Sequence, residues 1–368
     1  MSVEVRLSWQ DRDVRFIDRI VVGDAMGVRD GELDVGDLVP MWDASLVRDV
    51  PLEEMALARR YGQPLTLHAG RFYPRRLAGT GVADGDATQP MRVLDVRDGY
   101  VRIDLNAPLA SFPASVQVAD SDWESALDGA PLDTLRIAGI GMQAMPPGDL
   151  SVDWLDENSL RCEDMTADDQ FYRPVRLVHH LDANARTWLT RYYGEALHPG
   201  MTVLDLMSSW TSHLPDQPDS LEVVGLGMNL EELMANSRLS ERLCHDLNRN
   251  PVMSLEVGRF DLVLCTASVE YLRDPVAVLT DVARVLKPGG RVMIAFSDRW
   301  FPTKAVQIWG ELHPFQRPAL VLHYLRESGM FADYRAESIQ GIARPRDDKY
   351  AAQRRTSDPM FVVSATRL

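Results

Sequence analysis

The sequence predicts an α/β protein in which a doubly wound, mostly parallel sheet follows a small β-rich domain. From Thr202 to Phe296, short apolar segments alternate with segments of helical periodicity, and such alternation is typical of a parallel sheet. Before residue 130, apolar and polar residues alternate with period two, which indicates half-buried strands. We therefore expect domains at 1–130 and 170–368, joined by an irregular linker at 131–169.

The composition limits which binding partners and which cellular compartment we expect for this protein. The 368 residues carry 39 basic and 54 acidic side chains, a net charge of −15, which argues against a nucleic-acid surface because phosphate binding needs clustered Lys and Arg. The three cysteines show no CxxC or metal-ligand spacing. No signal-peptide pattern and no apolar run near ~18 residues occurs. We expect a reduced, cytoplasmic protein that contacts no membrane.

Short strands and turns dominate the first part of the chain. The alternating segment Met91–Ile103 contains Asp98-Gly99, and an Asp-Gly pair between alternating residues is a strong hairpin signal. Val3–Leu7 and Phe112–Val118 are predicted as further strands.

Two strings in this region resemble SlyD-like FKBP-type prolyl isomerases: Val93–Val118, which contains the turn Asp104–Ser111 (DLNAPLAS), and Leu38–Pro51. The resemblance implies an FKBP-like domain. The helix and the A-Y-G turn that build that family's isomerase pocket have no counterpart in the matching part of the sequence. A residual isomerase or chaperone activity and a retained binding surface are alternatives. Tyr61, Phe72 and Tyr73 are candidates for that surface, or for core packing.

A helix is predicted to precede the α/β sheet. Apolar residues recur at helical spacing after Asp182, a good N-cap residue, and Pro199-Gly200 ends the pattern. A helix in this place usually lies across the ligand cleft, so its polar entry is expected there: Tyr172, Arg173, His179 and His180. The paired histidines lack a third ligand at metal-binding spacing.

The α/β region has a regular order of elements. Predicted strands are Thr202–Leu206, Leu221–Leu226, Phe260–Cys265, Arg291–Phe296 after the turn Pro288-Gly289-Gly290, and an antiparallel last strand at 359–365; predicted helices are Leu230–Asn236, capped by Asn229, and Pro275–Val285.

The stretch Phe260–Phe296, FDLVLCTASVEYLRDPVAVLTDVARVLKPGGRVMIAF, resembles class I S-adenosylmethionine-dependent methyltransferases of the small-molecule "type 11" group. The resemblance implies a Rossmann-like sheet, S-adenosylmethionine as cofactor, and methyl transfer to a small molecule or to a bound protein. Its cofactor loop, V-L-D-L-G-x-G-x-G, keeps Asp205 but places Met207, Ser209 and Thr211 at the glycine positions. The family's ribose-binding acid falls on Gly227.

The resemblance assigns candidate site residues. Cofactor-binding candidates are Asp205, Met207, Ser208, Ser209, Trp210, Gly227, Met228, Asn229, Asp246 and Leu247; catalytic candidates are Glu270, Tyr271 and His213. A lid over the acceptor, or a helix packed on the domain, is predicted from Trp300, Phe301, Lys304, Trp309 and His313.

Two interpretations of the altered loop stay open. In one, the hydroxyl-rich run Ser208–Ser212 replaces the close backbone contact that glycine normally allows. In the other, the pocket is lost and the protein is a non-catalytic scaffold. Losing the ribose acid removes a charge-assisted hydrogen bond of about 1.5–3 kcal/mol. The deciding observation is whether the side chains of residues 207–211 line a crevice or fill it.

Overall fold

The computed structural model describes residues 2–23, 41–57, 59–60, 63–79, 89–110, 112–126 and 152–368. The strands are β1 (Ser2–Asp11), β2 (Val14–Gly23), β3 (Val47–Pro51), β4 (Arg59–Arg60), β5 (Gln63–Pro64), β6 (Phe72–Pro74), β7 (Pro90–Arg97), β8 (Tyr100–Asp104), β9 (Ala114–Asp120), β10 (Thr202–Leu206), β11 (Glu222–Gly227), β12 (Glu241–Cys244), β13 (Phe260–Thr266), β14 (Leu286–Phe296), β15 (Phe331–Gln340) and β16 (Met360–Arg367). The helices are α1 (Asp168–Phe171), α2 (Ala183–Gly194), α3 (Leu230–Ala235), α4 (Pro275–Val285), α5 (Gln307–Glu311) and α6 (Arg317–Glu327). In these ranges no helix is long and apolar enough to cross a bilayer.

A ten-stranded mixed sheet forms the centre of the molecule, in the order β12-β11-β10-β13-β14-β16-β15-β2-β1-β9. Strands β10 to β14 are parallel, and β16 runs antiparallel to both of its neighbours. The order of β10 to β14 is that of a doubly wound sheet, whose strand order reverses between β10 and β13. Ligand crevices open at such a reversal, beyond the carboxyl ends of the strands.

The N-terminal strands extend this same sheet. Strand β2 pairs in parallel with β15, and β1 lies between β2 and β9. Val3 and Leu7 therefore belong to the same apolar cluster as Leu204 and Val263. The sheet thus contains strands from both sides of the predicted domain boundary at residue 130.

A smaller β unit lies within the N-terminal region. Strands β3, β8, β7 and β6 form a four-stranded sheet with its own core, which includes Val50, Met91 and Ile103. The predicted hairpin is confirmed, since β7 and β8 flank Asp98-Gly99. The likeness of this unit to FKBP-type isomerases stays a prediction.

Residues 41–51 and 104–110 of the two strings behind that resemblance lie together, whereas residues 38–40 and 111 lie outside the described residues. Asn106 in the DLNAPLA turn accepts a hydrogen bond from the Asp43 N–H at 2.8 Å, and β3 pairs with β8. Phe72 and Tyr73 are buried, so both pack in the interior. Tyr61 and residues 131–151 of the predicted linker lie outside the described residues.

Most predicted α/β elements are found with their predicted caps. Asp182 caps α2 by accepting from the Ala185 N–H, and Asn229 caps α3. One boundary prediction is wrong: Pro288-Gly289-Gly290 lies inside β14, not before it. Leu286 already pairs with Phe260, ahead of an irregularity in the β13–β14 register, and such bulges are hard to read from sequence.

A buried charge network joins the start of α2 to the start of β16. Arg344 lies 3.5 Å from Asp182 and 2.5 Å from Asp358, and all three side chains are at most 2% exposed. The two aspartates also accept hydrogen bonds from each other's backbone N–H groups. Because the only cation within bonding distance of both buried carboxylates in the described residues is Arg344, the anchoring of α2 depends on it.

Replacing Arg344 with Met should lower the free energy of unfolding by about 3–5 kcal/mol, since it leaves the buried Asp182 without a cation and Asp358 with only Arg299, at 4.0 Å. Urea denaturation at neutral pH measures this change. The matched control is Arg97→Met, because Arg97 pairs with Asp95 while 69% exposed and exposed pairs contribute about 0–1 kcal/mol. Equal losses in the two variants would contradict the assignment.

Candidate functional site

A crevice of about 180 Å³ opens at the carboxyl ends of β10, β11 and β13. It lies at the strand-order reversal of the doubly wound sheet, where ligands bind in folds of this kind. Every predicted cofactor-binding residue lines it, namely Asp205, Met207, Ser208, Ser209, Trp210, Gly227, Met228, Asn229, Asp246 and Leu247. Residues 207–211 therefore line the crevice and do not fill it.

The loop after β10 keeps a left-handed backbone without its glycine. Met207 has a φ of +56°, a conformation that costs most side-chain-bearing residues roughly 1–2 kcal/mol. The next residue holds this turn in place: the Ser208 N–H donates to the Leu226 carbonyl at 2.8 Å, and its hydroxyl donates to Asp205 at 2.6 Å. Burial raises the pKa of the Asp205 carboxyl to about 6.

Gly227 has no room for a side chain. A Cβ atom built there would lie 2.2 Å from the Ser208 carbonyl oxygen, far inside contact distance. The position that matches the family's ribose-binding acid is therefore occupied by backbone of the neighbouring loop. An acid at 227 is excluded by packing, and any recognition of hydroxyl groups has to come from elsewhere.

Glu232, on the first turn of α3, brings a carboxylate into the crevice beside this glycine. It accepts a hydrogen bond from the Ser209 hydroxyl at 2.6 Å and one from the Arg176 N–H at 2.8 Å. Sequence reasoning missed this residue. Three positions after the N-cap Asn229, a Glu is normally assigned to helix capping, so only its contacts identify it as a crevice residue.

Asp246 and Asn248, in the loop that follows β12, line one side of the crevice. Asp246 accepts from the Asn248 N–H at 2.9 Å. The Asn248 amide donates to the Asp168 carboxylate and to the Tyr271 carbonyl, both at 2.9 Å. Asn248 thereby ties this loop to two other walls of the crevice.

The segment 168–181 crosses the crevice as a strap. Its position agrees with the expectation for the polar entry to α2: Tyr172, His179 and His180 line the crevice, whereas Arg173 does not. Asn229 donates to the carbonyls of Tyr172 and Arg173 at 3.0 and 3.1 Å. These bonds hold the strap to the cofactor-side loops.

Trp210 fastens the other end of the strap. Its indole N–H donates to the Val178 carbonyl at 3.2 Å, and its ring lies 4.4 Å from that of His179. The ring of His180 in turn lies 5.2 Å from that of Phe301. In the described residues no group of His, Cys, Asp and Glu side chains could hold a metal ion.

The catalytic candidates separate into two groups. Tyr271 and His213 line the crevice. Glu270 does not: its side chain is 1% exposed, and burial raises the pKa of its carboxyl to about 8. Glu270 thus lies behind the wall of the crevice, because the short helical turn Val269–Tyr271 directs Tyr271, not Glu270, to it, and a catalytic role for Glu270 stays a prediction.

The predicted lid residues are largely packed on the domain. Trp309 and Lys304 are buried, and His313 and Trp300 are partly buried and do not line the crevice. Of this set, Phe301 alone reaches it. The packed alternative therefore describes the segment after β14, with one aromatic ring exposed to the site.

The charges of the lining are uneven. Four carboxylates line the crevice, those of Asp168, Asp205, Glu232 and Asp246, together with the aromatic rings of Tyr172, Trp210, Tyr271 and Phe301. Desolvation lowers the pKa of His179 and His180 and that of His213 to about 4, so all three imidazoles are neutral at pH 7. An acidic, aromatic crevice suits an organic cation.

Comparison with known proteins agrees with this architecture. Residues 208–294 match the profile of a methyltransferase domain family, a stretch that runs from the crevice loop after β10 into β14. No protein with a curated description matches the chain.

Solved structures with similar folds include a putative methyltransferase from Haloferax volcanii in complex with the Trm112 methyltransferase activator (20% identity, covering 49% of this chain and 90% of that one, TM-score 0.36). Others are a putative methyltransferase from Bacillus halodurans (15% identity, 50% and 99%, TM-score 0.35) and an S-adenosylmethionine-dependent methyltransferase from Aquifex aeolicus (18% identity, 51% and 95%, TM-score 0.36).

Gly227→Ala should lower the free energy of unfolding by about 1–3 kcal/mol or more, because the new methyl group collides with backbone that cannot rotate away. Gly194→Ala is the matched control: the added carbon there would meet only Pro215, at an ordinary 3.5 Å. Chemical denaturation compares the two. A Gly227→Ala protein as stable as the control would show that the loop does not pack as described.

The pH dependence of stability should contain a contribution from His213. Its pKa is about 4 in the fold and about 6.5 when unfolded. As the pH falls, His213 is therefore protonated in the unfolded chain at a higher pH than in the folded protein. The stability that the neutral ring contributes is complete above pH 6.5 and is lost as pH falls towards 4, by roughly 2–3 kcal/mol.

His213→Asn removes this titration and suits the positive φ of +52° at this position. The stability difference between wild type and variant, measured in urea at pH 7, 5.5 and 4.5, should narrow or reverse towards low pH. A difference that is constant across these pH values would contradict the lowered pKa.

Proposed function

We propose that this protein is an S-adenosylmethionine-dependent methyltransferase whose cofactor site is the crevice at the ends of β10, β11 and β13. The observation that carries the proposal is the convergence, on one crevice, of all the loop residues predicted to bind the cofactor. The match of residues 208–294 to a methyltransferase domain supports it. The acceptor is proposed to be a small molecule or a bound protein.

The lining residues fit such a cofactor. The hydroxyls of Ser208, Ser209 and Thr211 replace bare glycine backbone along the loop after β10. The Tyr172 hydroxyl oxygen is buried and has no hydrogen-bond partner in the described residues. A buried hydroxyl without a partner is costly, so a ligand that offers it a hydrogen bond would be favoured.

We assign parts of the crevice to parts of the cofactor. Glu232 takes over the role of the missing acid at 227, since its carboxylate lies in the crevice one helical turn further on. Asp246 and Leu247 would border the adenine, as the family resemblance implies. Trp210 and Phe301 supply apolar rings that exclude water, and the four carboxylates balance a positive ligand.

The chemistry asked of the protein is mainly positioning. When bound, the cofactor supplies an electrophilic methyl group on a sulfonium, and transfer requires alignment of the acceptor in a dry site. The Tyr271 hydroxyl oxygen accepts from the Phe301 N–H at 2.9 Å, and burial raises its pKa well above the usual value. Tyr271 therefore keeps its proton and can donate it in a hydrogen bond to the acceptor.

His213 is the candidate for receiving a proton. Its imidazole is neutral at pH 7 because desolvation lowers its pKa, so a ring nitrogen is open to a proton. A base whose pKa lies well below the working pH is a weak proton acceptor, so it suits only an acceptor group whose own proton is acidic.

Isothermal titration calorimetry with S-adenosylhomocysteine tests the proposal. Wild type should bind, and Asp246→Asn and Glu232→Gln should each weaken binding about tenfold, which corresponds to about 1.4 kcal/mol, because each replaces a charged hydrogen-bond acceptor with a neutral one.

Asp98→Asn is the matched control for this titration. It removes the same charge in an exposed hairpin turn where Asn-Gly serves as well as Asp-Gly. An absence of binding heat in the wild type, with the fold intact by circular dichroism, would favour the non-catalytic alternative and overturn the proposal.

A further inference from the structure

Arg176 is the one lysine or arginine side chain that lines the crevice in the described part of the chain. It faces a lining with four carboxylates and histidines that are neutral at pH 7. In the described residues no carboxylate forms an ion pair with its guanidinium. A permanent cation in an acidic crevice that leaves it unpaired is unusual, because buried or partly buried charges are normally paired.

The guanidinium is held firmly, but only along one edge. One terminal nitrogen donates to the Phe171 carbonyl at 3.0 Å and the other to the Pro174 carbonyl at 3.3 Å. Its central carbon lies 5.1 Å from the centre of the Phe171 ring and 5.8 Å from that of Phe301. These contacts fix the plane of the group and use two of its five N–H donors.

The Arg176 main chain is fixed as well. Its N–H donates to Glu232 at 2.8 Å, which joins the strap to the first turn of α3. The arginine is therefore pre-organised over the crevice, and little side-chain entropy is lost when its remaining donors bind a ligand.

The same lining disfavours an anionic ligand group everywhere else. A carboxylate placed near Asp205, Glu232 or Asp246 meets a like charge, and the neutral histidines offer hydrogen bonds but no charge. Among the lining side chains in the described part of the chain, Arg176 alone thus offers a ligand carboxylate a permanent opposite charge. The planar guanidinium also matches a carboxylate better than any other side chain does.

We propose that Arg176 binds the carboxylate of the cofactor's amino-acid end and so makes the crevice selective for S-adenosylmethionine over nucleosides that lack this group. This inference rests on the proposed function and adds the recognition group for one end of the ligand. It also gives the strap a role, since the strap holds at the crevice the one lysine or arginine of the lining in the described residues.

The experiment is a cycle of two proteins and two ligands. Wild type and Arg176→Met are titrated calorimetrically with S-adenosylhomocysteine and with its decarboxylated analogue, which keeps the amine and lacks only the carboxylate. Wild type should bind S-adenosylhomocysteine at least about tenfold more tightly than the analogue. In Arg176→Met this preference should vanish, because S-adenosylhomocysteine loses the partner of its carboxylate. The affinity for the analogue should stay within about threefold of wild type, since the analogue has no carboxylate to lose.

Two further variants separate charge from geometry. Arg173→Met removes the same charge from an exposed neighbour on the strap that does not line the crevice, and it should keep the preference of the wild type. Arg176→Lys should restore part of the preference, since it keeps the charge but not the planar pair of donors.

The outcomes are distinguishable. If Arg176→Met weakens both ligands equally, Arg176 only supports the strap and the inference is wrong, although the proposed function stands. If the wild type itself binds the two ligands equally well, the carboxylate is not recognised and the inference is likewise overturned. A wild type that binds neither ligand overturns the proposed function, and this inference with it.

Discussion

The close contact between Gly227 and the Ser208 carbonyl determines the shape of the site. It brings the ends of β10 and β11 together at the point where the strand order reverses, and the Ser208 N–H bonds to Leu226 at 2.8 Å. A Cβ atom built at position 227 would lie only 2.2 Å from the Ser208 carbonyl oxygen, so this position must be glycine. The left-handed turn at Met207 follows from the same contact, because the chain has to bend sharply to reach it.

Every other wall of the crevice is connected to this contact through polar side chains. Ser209 bonds to Glu232, Glu232 to the strap at Arg176, and Asn248 to both Asp168 and Tyr271. Hydrogen bonds in such a network strengthen one another in a water-poor environment. The crevice is therefore a connected unit, in which the strap is held by residues on the same loops that we propose contact the cofactor.

The large sheet provides a rigid base for this unit. Strands β1 and β2 add to the edge beside β15, far along the sheet from β10, and their apolar residues share a core with the α/β strands. The Arg344 network then anchors the start of α2, and with it the end of the strap, to β16. The position of the strap thus depends on packing at both ends.

The local sequence determined the elements of the α/β region and the residues of its crevice. Periodicity and caps define β10, α2, α3 and α4, and parallel strands necessarily place the residues that follow them at one edge. The resemblance to methyltransferases assigned the loop residues from Asp205 to Leu247 to one site, and this strand geometry agrees with that assignment. The sequence also showed that Gly227 stands where the family has a ribose-binding acid, but it did not show why a glycine is needed there.

Tertiary structure decided what depends on contacts between distant segments. The Ser208 carbonyl that excludes an acid at 227, the entry of Glu232 and Arg176 into the crevice, and the burial of Glu270 all follow from how separate loops pack, which local patterns do not encode. The union of β1, β2 and β9 with the α/β sheet is of the same kind, since the pairing of β2 with β15 joins residues more than three hundred positions apart. Side-chain period fixes which face of a strand is buried, but the choice of neighbouring strand is made only when the whole core assembles.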